Sequence, residues 1–207
     1  SSAMRNMWEI YCEQAKAQQG ENEDTDFDDD ECVTDGETTR LIIGGGEPRD
    51  GWQCFSSEPG EGIAFDGDLG DLGRFGTDSY SEVYCSHITQ RLAQADLQAY
   101  LKDLHRILRP GGKLYLSVPD LDALAWLFSS PLYAKTDKFQ LMRLMFGRQD
   151  DALDFNHVGL NADFLSDFLS IAGFSRIEHV ESFDLFEDAS TLQVNGTLVS
   201  LNLIAIK

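Results

Sequence analysis

The chain has 207 residues, with 36 acidic against 16 basic side chains, a formal charge of −20 and a sequence pI of 4.3. At 42% hydrophobic and 11% aromatic the composition is globular, while the acidity argues against a partner held through phosphates, so no nucleic acid is expected. No apolar run approaches the roughly 20 residues of a membrane span, and the start lacks the basic-then-apolar order of a secretory leader, so a soluble, cytoplasmic protein with no membrane partner is expected.

The charge is uneven. Residues 1–38 hold 12 of the acids and 2 of the bases, a balance of −10, so the other 169 residues carry the remaining −10. Ser1 to Ala3, ahead of Met4, read as an expression remnant. Met4, Trp8, Tyr11 and Ala15 fall at helical spacing, and the expected helix over 4–18 ends at Gly20. From Glu21 to Glu37 there are ten acids and no bases, which predicts a solvated acidic loop. The organisation read from this is an N-terminal helix at 1–20, an acidic loop at 21–38 and one domain at 39–207.

From Arg40 strands and helices alternate. Leu41 to Ile43 form a short strand running into Gly44, Gly45 and Gly46, and further strands are expected at 52–55, 63–65 and 83–85. Leu97, Tyr100, Leu101, Leu104, Ile107 and Leu108 keep the i, i+3, i+4 pattern of a helix stopped by Pro110, with Gly111 and Gly112 turning the chain into a strand at 114–118. Helices follow at 120–128 and 139–146, and a third is capped by Asn161 and ends at Gly173. Strands at 176–183 and 197–206 are too close in sequence for a crossover helix, so they pair antiparallel. The fold class is therefore α/β, with a largely parallel sheet.

In such a sheet, ligands bind beyond the carboxyl ends of the strands. Here the first strand ends in three glycines, where a ligand meets backbone with no intervening Cβ. The second ends at Ser56 to Glu58, the third at Asp66 to Leu69, and the fourth at Ser86 and His87. Backbone for a charged end, hydroxyl or carboxylate for a sugar and Asp68 for a base amino group suit a nucleoside-type ligand. The cysteines Cys12, Cys32, Cys54 and Cys85 lack the paired spacing of a zinc or redox motif and read as buried or free thiols. Asp26, Asp28, Asp30, Val33 and Glu37 fall at positions 1, 3, 5, 8 and 12 of an EF-hand calcium loop, four acids at ligand positions and one apolar residue. Glu31 stands where that loop needs glycine and no helix follows, so no metal site is expected.

Leu-Ile-Ile-Gly-Gly-Gly at 41–46, Gly-Asp-Leu at 67–69, Val-Tyr-Cys-Ser-His at 83–87 and Leu-His-Arg-Ile-Leu-Arg-Pro-Gly-Gly-Lys-Leu-Tyr-Leu-Ser-Val-Pro-Asp at 104–120 together resemble the class I S-adenosylmethionine-dependent methyltransferases. The likeness is to a small, type 11-like subgroup and covers about residues 39–207. It implies a Rossmann-like sandwich with a seven-stranded, mostly parallel sheet and an antiparallel C-terminal strand. It also implies S-adenosylmethionine as cofactor and methyl transfer to a small-molecule acceptor or a protein. Carried over, Gly44, Gly45 and Gly46 line the methionine part of the cofactor, with Glu47 near its amino group. Ser56 aligns with the usual ribose-binding acid, with Glu58 two residues on. Asp68 and Leu69 sit by the adenine, and Ser86 and His87 face the methyl group.

Three positions depart from the pattern. Ser56 lacks the carboxylate, Tyr80 and Ser81 replace the usual Phe-Asp, and Thr89 to Arg91 replace Leu-Glu-His. They favour the competing reading, a methyltransferase-like domain that binds or scaffolds without catalysis. For an enzyme, the base candidates are His157, in a loop before a helix, and His87; His105 and His179 read as structural. Trp126, Phe128, Tyr133, Phe139, Met142 and Met145 form an aromatic and methionine stripe, which reads as core or, alternatively, as the wall of an apolar acceptor site.

Overall fold

The computed structural model describes residues 40–44, 49–150 and 154–207, all within one of the two units into which the chain divides, Thr34–Lys207. The helix expected over 4–18, the acidic loop, the calcium-like spacing, Cys12 and Cys32 lie outside the described residues.

The main sheet has seven strands, in the order β3-β2-β1-β4-β5-β9-β6. Its strands are β1 (Arg40–Ile43), β2 (Gln53–Ser56), β3 (Phe65–Asp66), β4 (Tyr80–Ser86), β5 (Leu108–Pro119), β6 (Arg176–Val180) and β9 (Ser200–Ile206). The first five are parallel, and β9 runs antiparallel between β5 and β6. A two-stranded hairpin, β7 (Gln193–Val194) with β8 (Thr197–Leu198), precedes β9. The expected Thr197–Ile206 strand is thus divided, and the third strand falls at 65–66, not 63–65.

Side chains alternate across the sheet. Leu41, Ile43, Val83, Cys85, Leu114 and Leu116 face α1 (Leu97–Ile107) and α4 (Ala162–Ala172) in the largest core cluster. Leu97, Tyr100, Leu101, Leu104 and Ile107 all lie on the buried side of α1. Each fully buried leucine there contributes about 1.5 to 3 kcal/mol. Helix α1 gives way to extended backbone at Leu108, before Pro110, and the Lys207 ammonium donates to the Arg106 and Leu108 carbonyls left at its end. Helix α4 begins where Asn161 Oδ1 accepts from the Phe164 amide and stops at Gly173, in left-handed backbone at φ +111°.

On the opposite face Ile42, Tyr84 and Tyr115 meet Trp52, Phe183 and Phe186. Helices α2 (Leu121–Ser129) and α3 (Lys135–Phe146) lie beyond the carboxyl end of β5 and pack with Val199 in a cluster of their own. Helix α3 starts four residues before the expected 139, because the Asp137 carboxylate accepts from the Ala134 amide and closes an earlier first turn. Cys54 and Cys85 are buried, on β2 and β4. Among the described residues no helix is long and apolar enough to cross a membrane.

Candidate functional site

The parallel strands end at a cleft of about 400 Å³, lined by Ser57, Gly67–Gly70, Ile88, Arg91, Leu92, Phe155 and His157. Its floor is the turn after β3. Asp68 Oδ1 accepts from the Gly70 amide at 2.9 Å, which fixes the turn, and Asp68 itself lines the cleft. Leu69, half-buried, packs on the main core.

Gly44 sits where β1 ends, its amide donating to Phe55 O at 2.9 Å, with φ at +79°. A Cβ at this position would meet the side chain of Ile88, so the space beside the glycine is filled by the protein's own isoleucine. Gly45, Gly46 and Glu47 lie outside the described residues. Ser56 ends β2 half-buried, and its hydroxyl takes the Glu58 amide at 3.4 Å.

The outer wall comes from the loop between α3 and α4. Asn156 Nδ2 donates to Leu144 and Met145 carbonyls at the end of α3, and the His157 amide donates to Gln90 O at 2.8 Å. These two ties carry the loop across to the turn at Thr89–Arg91. The Phe155 and His157 rings lie nearly parallel, 17° apart at 6.2 Å, along the cleft.

His87 faces elsewhere, into a polar cluster between the sheet and the segment at 181–192. Its backbone is left-handed, φ +57°, a conformation uncommon for a residue with a Cβ, and its amide donates to Ser117 O. Nδ1 stands 3.2 Å from Ser86 Oγ and Nε2 3.4 Å from Ser200 Oγ. Burial pushes the imidazole down to about 4; Asp188 opposes that shift and Arg91 adds to it. Tyr84 donates to Asp188 Oδ2 at 2.8 Å, and burial pushes its phenol well above the ordinary value. Hydrogen bonds from Ser190 and Tyr84 outweigh burial at Asp188 and hold that carboxyl low. Two buried atoms in the same strand rung, Ser117 Oγ and Asn202 Oδ1, have no hydrogen-bond partner.

The structure therefore brings Asp68, Leu69 and His157 to one cleft, places Gly44 and Ser56 at the ends of the strands beside it, and turns Ser86 and His87 toward Asp188. Ile88, Leu92 and Phe155 escaped the sequence reading because their residue types carry no chemistry by themselves. Asp188 was missed because 84 and 188 meet only through the sheet. The expected stripe is neither core throughout nor a wall of this cleft. Trp126, Phe128, Phe139 and Met142 are exposed, Trp126 by 67%, because α2 and α3 bury only Leu124, Leu127 and Leu141 between them. Phe139 and Met142 line a separate, shallow cavity of about 360 Å³ with Phe146, Arg143 and Arg148.

No protein-family profile matches the chain, and no curated protein sequence does. Solved structures resemble it in fold. A protein of Bordetella parapertussis described as a possible exported protein superposes with a TM-score of 0.52 at 16% identity, over 82% of this chain and 62% of that one, so the present chain spans less than two thirds of its length. The 1,6-didemethyltoxoflavin-N1-methyltransferase of Burkholderia thailandensis, solved with bound 1,6-didemethyltoxoflavin and S-adenosylhomocysteine, gives 0.51 at 16% identity, over 81% and 70%. A SAM-dependent methyltransferase of Thermotoga maritima, described as a possible histamine N-methyltransferase, gives 0.50 at 13%, over 100% and 96%. The shared feature is the Rossmann-like α/β fold with this seven-stranded sheet.

Proposed function

We propose that the cleft binds S-adenosylmethionine and that the domain transfers its methyl group to a small-molecule acceptor. The observation that carries this reading is the cleft itself, at the carboxyl ends of the parallel strands, with the Asp68 turn as its floor. Its residues suit the purine end of the cofactor: Leu69, Ile88 and Leu92 offer apolar contact to a flat ring, and Asp68 offers an acceptor to an exocyclic amine. The resemblance puts Ser56, with Glu58 two residues on, at the ribose position, and Ser57 between them lines the cleft. When bound, the cofactor supplies a methyl group activated on a sulfonium.

The chain's own part is alignment and exclusion of water. Phe155 and His157 wall the cleft, and the turn at Thr89–Arg91 fixes their distance from it. The balance of −10 on residues 39–207 favours a small molecule or a protein as acceptor over nucleic acid.

A second reading, a binding or scaffold domain that has lost catalysis, is supported by Ser56 in place of a carboxylate and by Ile88 packed against Gly44. Calorimetric titration of the full chain with S-adenosylhomocysteine separates the two. The enzyme reading expects saturable heat and a raised melting temperature; no heat and no thermal shift at millimolar ligand would leave only the second.

A further inference from the structure

The polar cluster around His87 is the part of the molecule that the cleft leaves unexplained. Its proton positions can be assigned by counting donors. Ser200 Oγ lies 2.7 Å from Ala189 O, which can only accept, so the Ser200 proton points there. Facing His87, Ser200 is then an acceptor, and Nε2 must carry the imidazole proton. Nδ1 is left as a lone pair, which receives the Ser86 hydroxyl at 3.2 Å. Asp188, the carboxylate that acts on both Ser86 and His87, holds the Tyr84 hydroxyl at Oδ2 and accepts the Ser190 amide at Oδ1. The Ser86 hydroxyl thus stands between two acceptors, with one proton to give.

Ser86 ends β4 one residue past the Ile43–Cys85 pair, level with Gly44 on β1, and it is half-buried where its neighbours Tyr84 and Cys85 are buried. The left-handed backbone at His87 is what turns the imidazole back beneath it.

We propose that Ser86, His87 and Asp188 form a proton relay for the methyl acceptor, with Ser86 as the group that meets the acceptor, His87 as the proton store and Asp188 as a positioning residue. This rests on the methyl-transfer reading above. An acceptor hydroxyl or amine gives its proton to Ser86 Oγ as Ser86 passes its own to His87 Nδ1. The acceptor atom bonds to the methyl carbon while the carbon–sulfur bond breaks, its electron pair staying on sulfur. The positive charge of the sulfonium is thereby exchanged for that of an imidazolium. The new Nδ1–H donates to Ser86, and the Ser86 hydroxyl turns to Asp188, which spreads the charge over a carboxylate. The charged groups acting on the imidazole are Asp188 ahead of the turn at 189–191 and Arg91 on the turn after β4, and the Tyr84 phenol on β4 is bonded to Asp188.

Nitrogen-15 spectra of the four histidines, with His87→Gln for assignment, read the relay without any cofactor. At neutral pH His87 is expected as a single Nε2–H tautomer with a hydrogen-bonded Nδ1. Ser86→Ala shifts Nδ1 toward the value of an unbonded imine nitrogen, and Ser86→Thr restores it. A wild-type Nδ1–H tautomer, an imidazolium, or an Nδ1 resonance indifferent to Ser86→Ala overturns the proposal. With any phenol or amine that the wild type methylates, Ser86→Ala and Asp188→Asn lose roughly 100-fold or more in turnover. Their affinity for S-adenosylhomocysteine stays within twofold of wild type. Undiminished turnover in both variants overturns the relay even if the spectra agree. A wild type that binds no S-adenosylhomocysteine refutes the methyl-transfer reading instead and with it the catalytic use of the cluster, while the spectra still decide whether the proton arrangement exists.

Discussion

The side chain of Ile88 occupies the space in which a β-carbon on Gly44 would have to stand. The two residues lie on adjacent strand ends, so the glycine is required twice, for its φ of +79° and for this contact. Gly44→Ala is expected to cost about 2 to 5 kcal/mol, the sum of a left-handed penalty and overpacking. Ile88→Ala removes the overpacking but not the backbone strain. Urea unfolding of wild type, both single variants and the double variant should therefore give a double loss about 1 to 3 kcal/mol smaller than the sum of the singles. Strict additivity would show that the contact carries no energy.

Ser56 concerns affinity, not stability. Its hydroxyl is held by the Glu58 amide at the end of β2, where the methyltransferase reading places the ribose. Ser56→Asp adds a carboxylate at that end and is expected to tighten S-adenosylhomocysteine binding by tenfold to a hundredfold, about 1 to 3 kcal/mol. Calorimetry giving equal or weaker binding would move the ribose away from this strand.

His87 makes stability depend on pH in a definite direction. Its folded value of about 4 lies below the 6.5 of an unfolded chain, chiefly through burial. As pH falls below 6.5 the unfolded chain takes up this proton first, so the contribution is complete above that pH and is lost toward pH 4. The loss amounts to about 3 kcal/mol. His87→Gln should flatten this part of the profile. Parallel wild-type and variant slopes between pH 7 and 4.5 in chemical denaturation would contradict it.

Asp120 offers a local test. Its Oδ1 accepts from the Asp122 and Ala123 amides and so starts α2 directly after β5. Asp120→Ala is expected to cost about 1 kcal/mol, with Asp120→Asn costing less. Unchanged unfolding midpoints would indicate that α2 is held by Leu124 and Leu127 alone.

Much of this fold is legible in the chain because its signals are local. The apolar spacing of Leu97 to Ile107 and the cap at Asn161 each act within one turn of helix, whereas Pro110 to Gly112, expected as the helix stop and turn, lie inside β5, which already starts at Leu108. What escaped has causes at long range. A strand of two residues such as Phe65–Asp66 exists only because β2 lies beside it, with Phe55 paired to Phe65. The division at Val199 arises because its side chain packs with Leu124, Leu127 and Leu141, far away in sequence. For the site, the glycine and Asp68 positions were readable as strand ends. The direction of His87 was not, since it depends on one backbone angle and on Ser200, 113 positions later. Spacing alone also gave Trp126 and Phe139 the look of core, although nothing in the described fold covers them fully.

The position of β9 has a consequence for how the sheet is made. It is the last of the described strands in sequence, yet it stands between β5 and β6 and pairs with both. Until residues 200–206 have left the ribosome, β5 keeps an open hydrogen-bonding edge and β6 has nothing in the sheet to join. Burial of Leu201, Leu203 and Ala205 is therefore a closing event, and the rate of folding should be limited by this late, non-local pairing. A nascent chain halted before Ser200 would carry that apolar edge into solution, which makes it a natural substrate for chaperones.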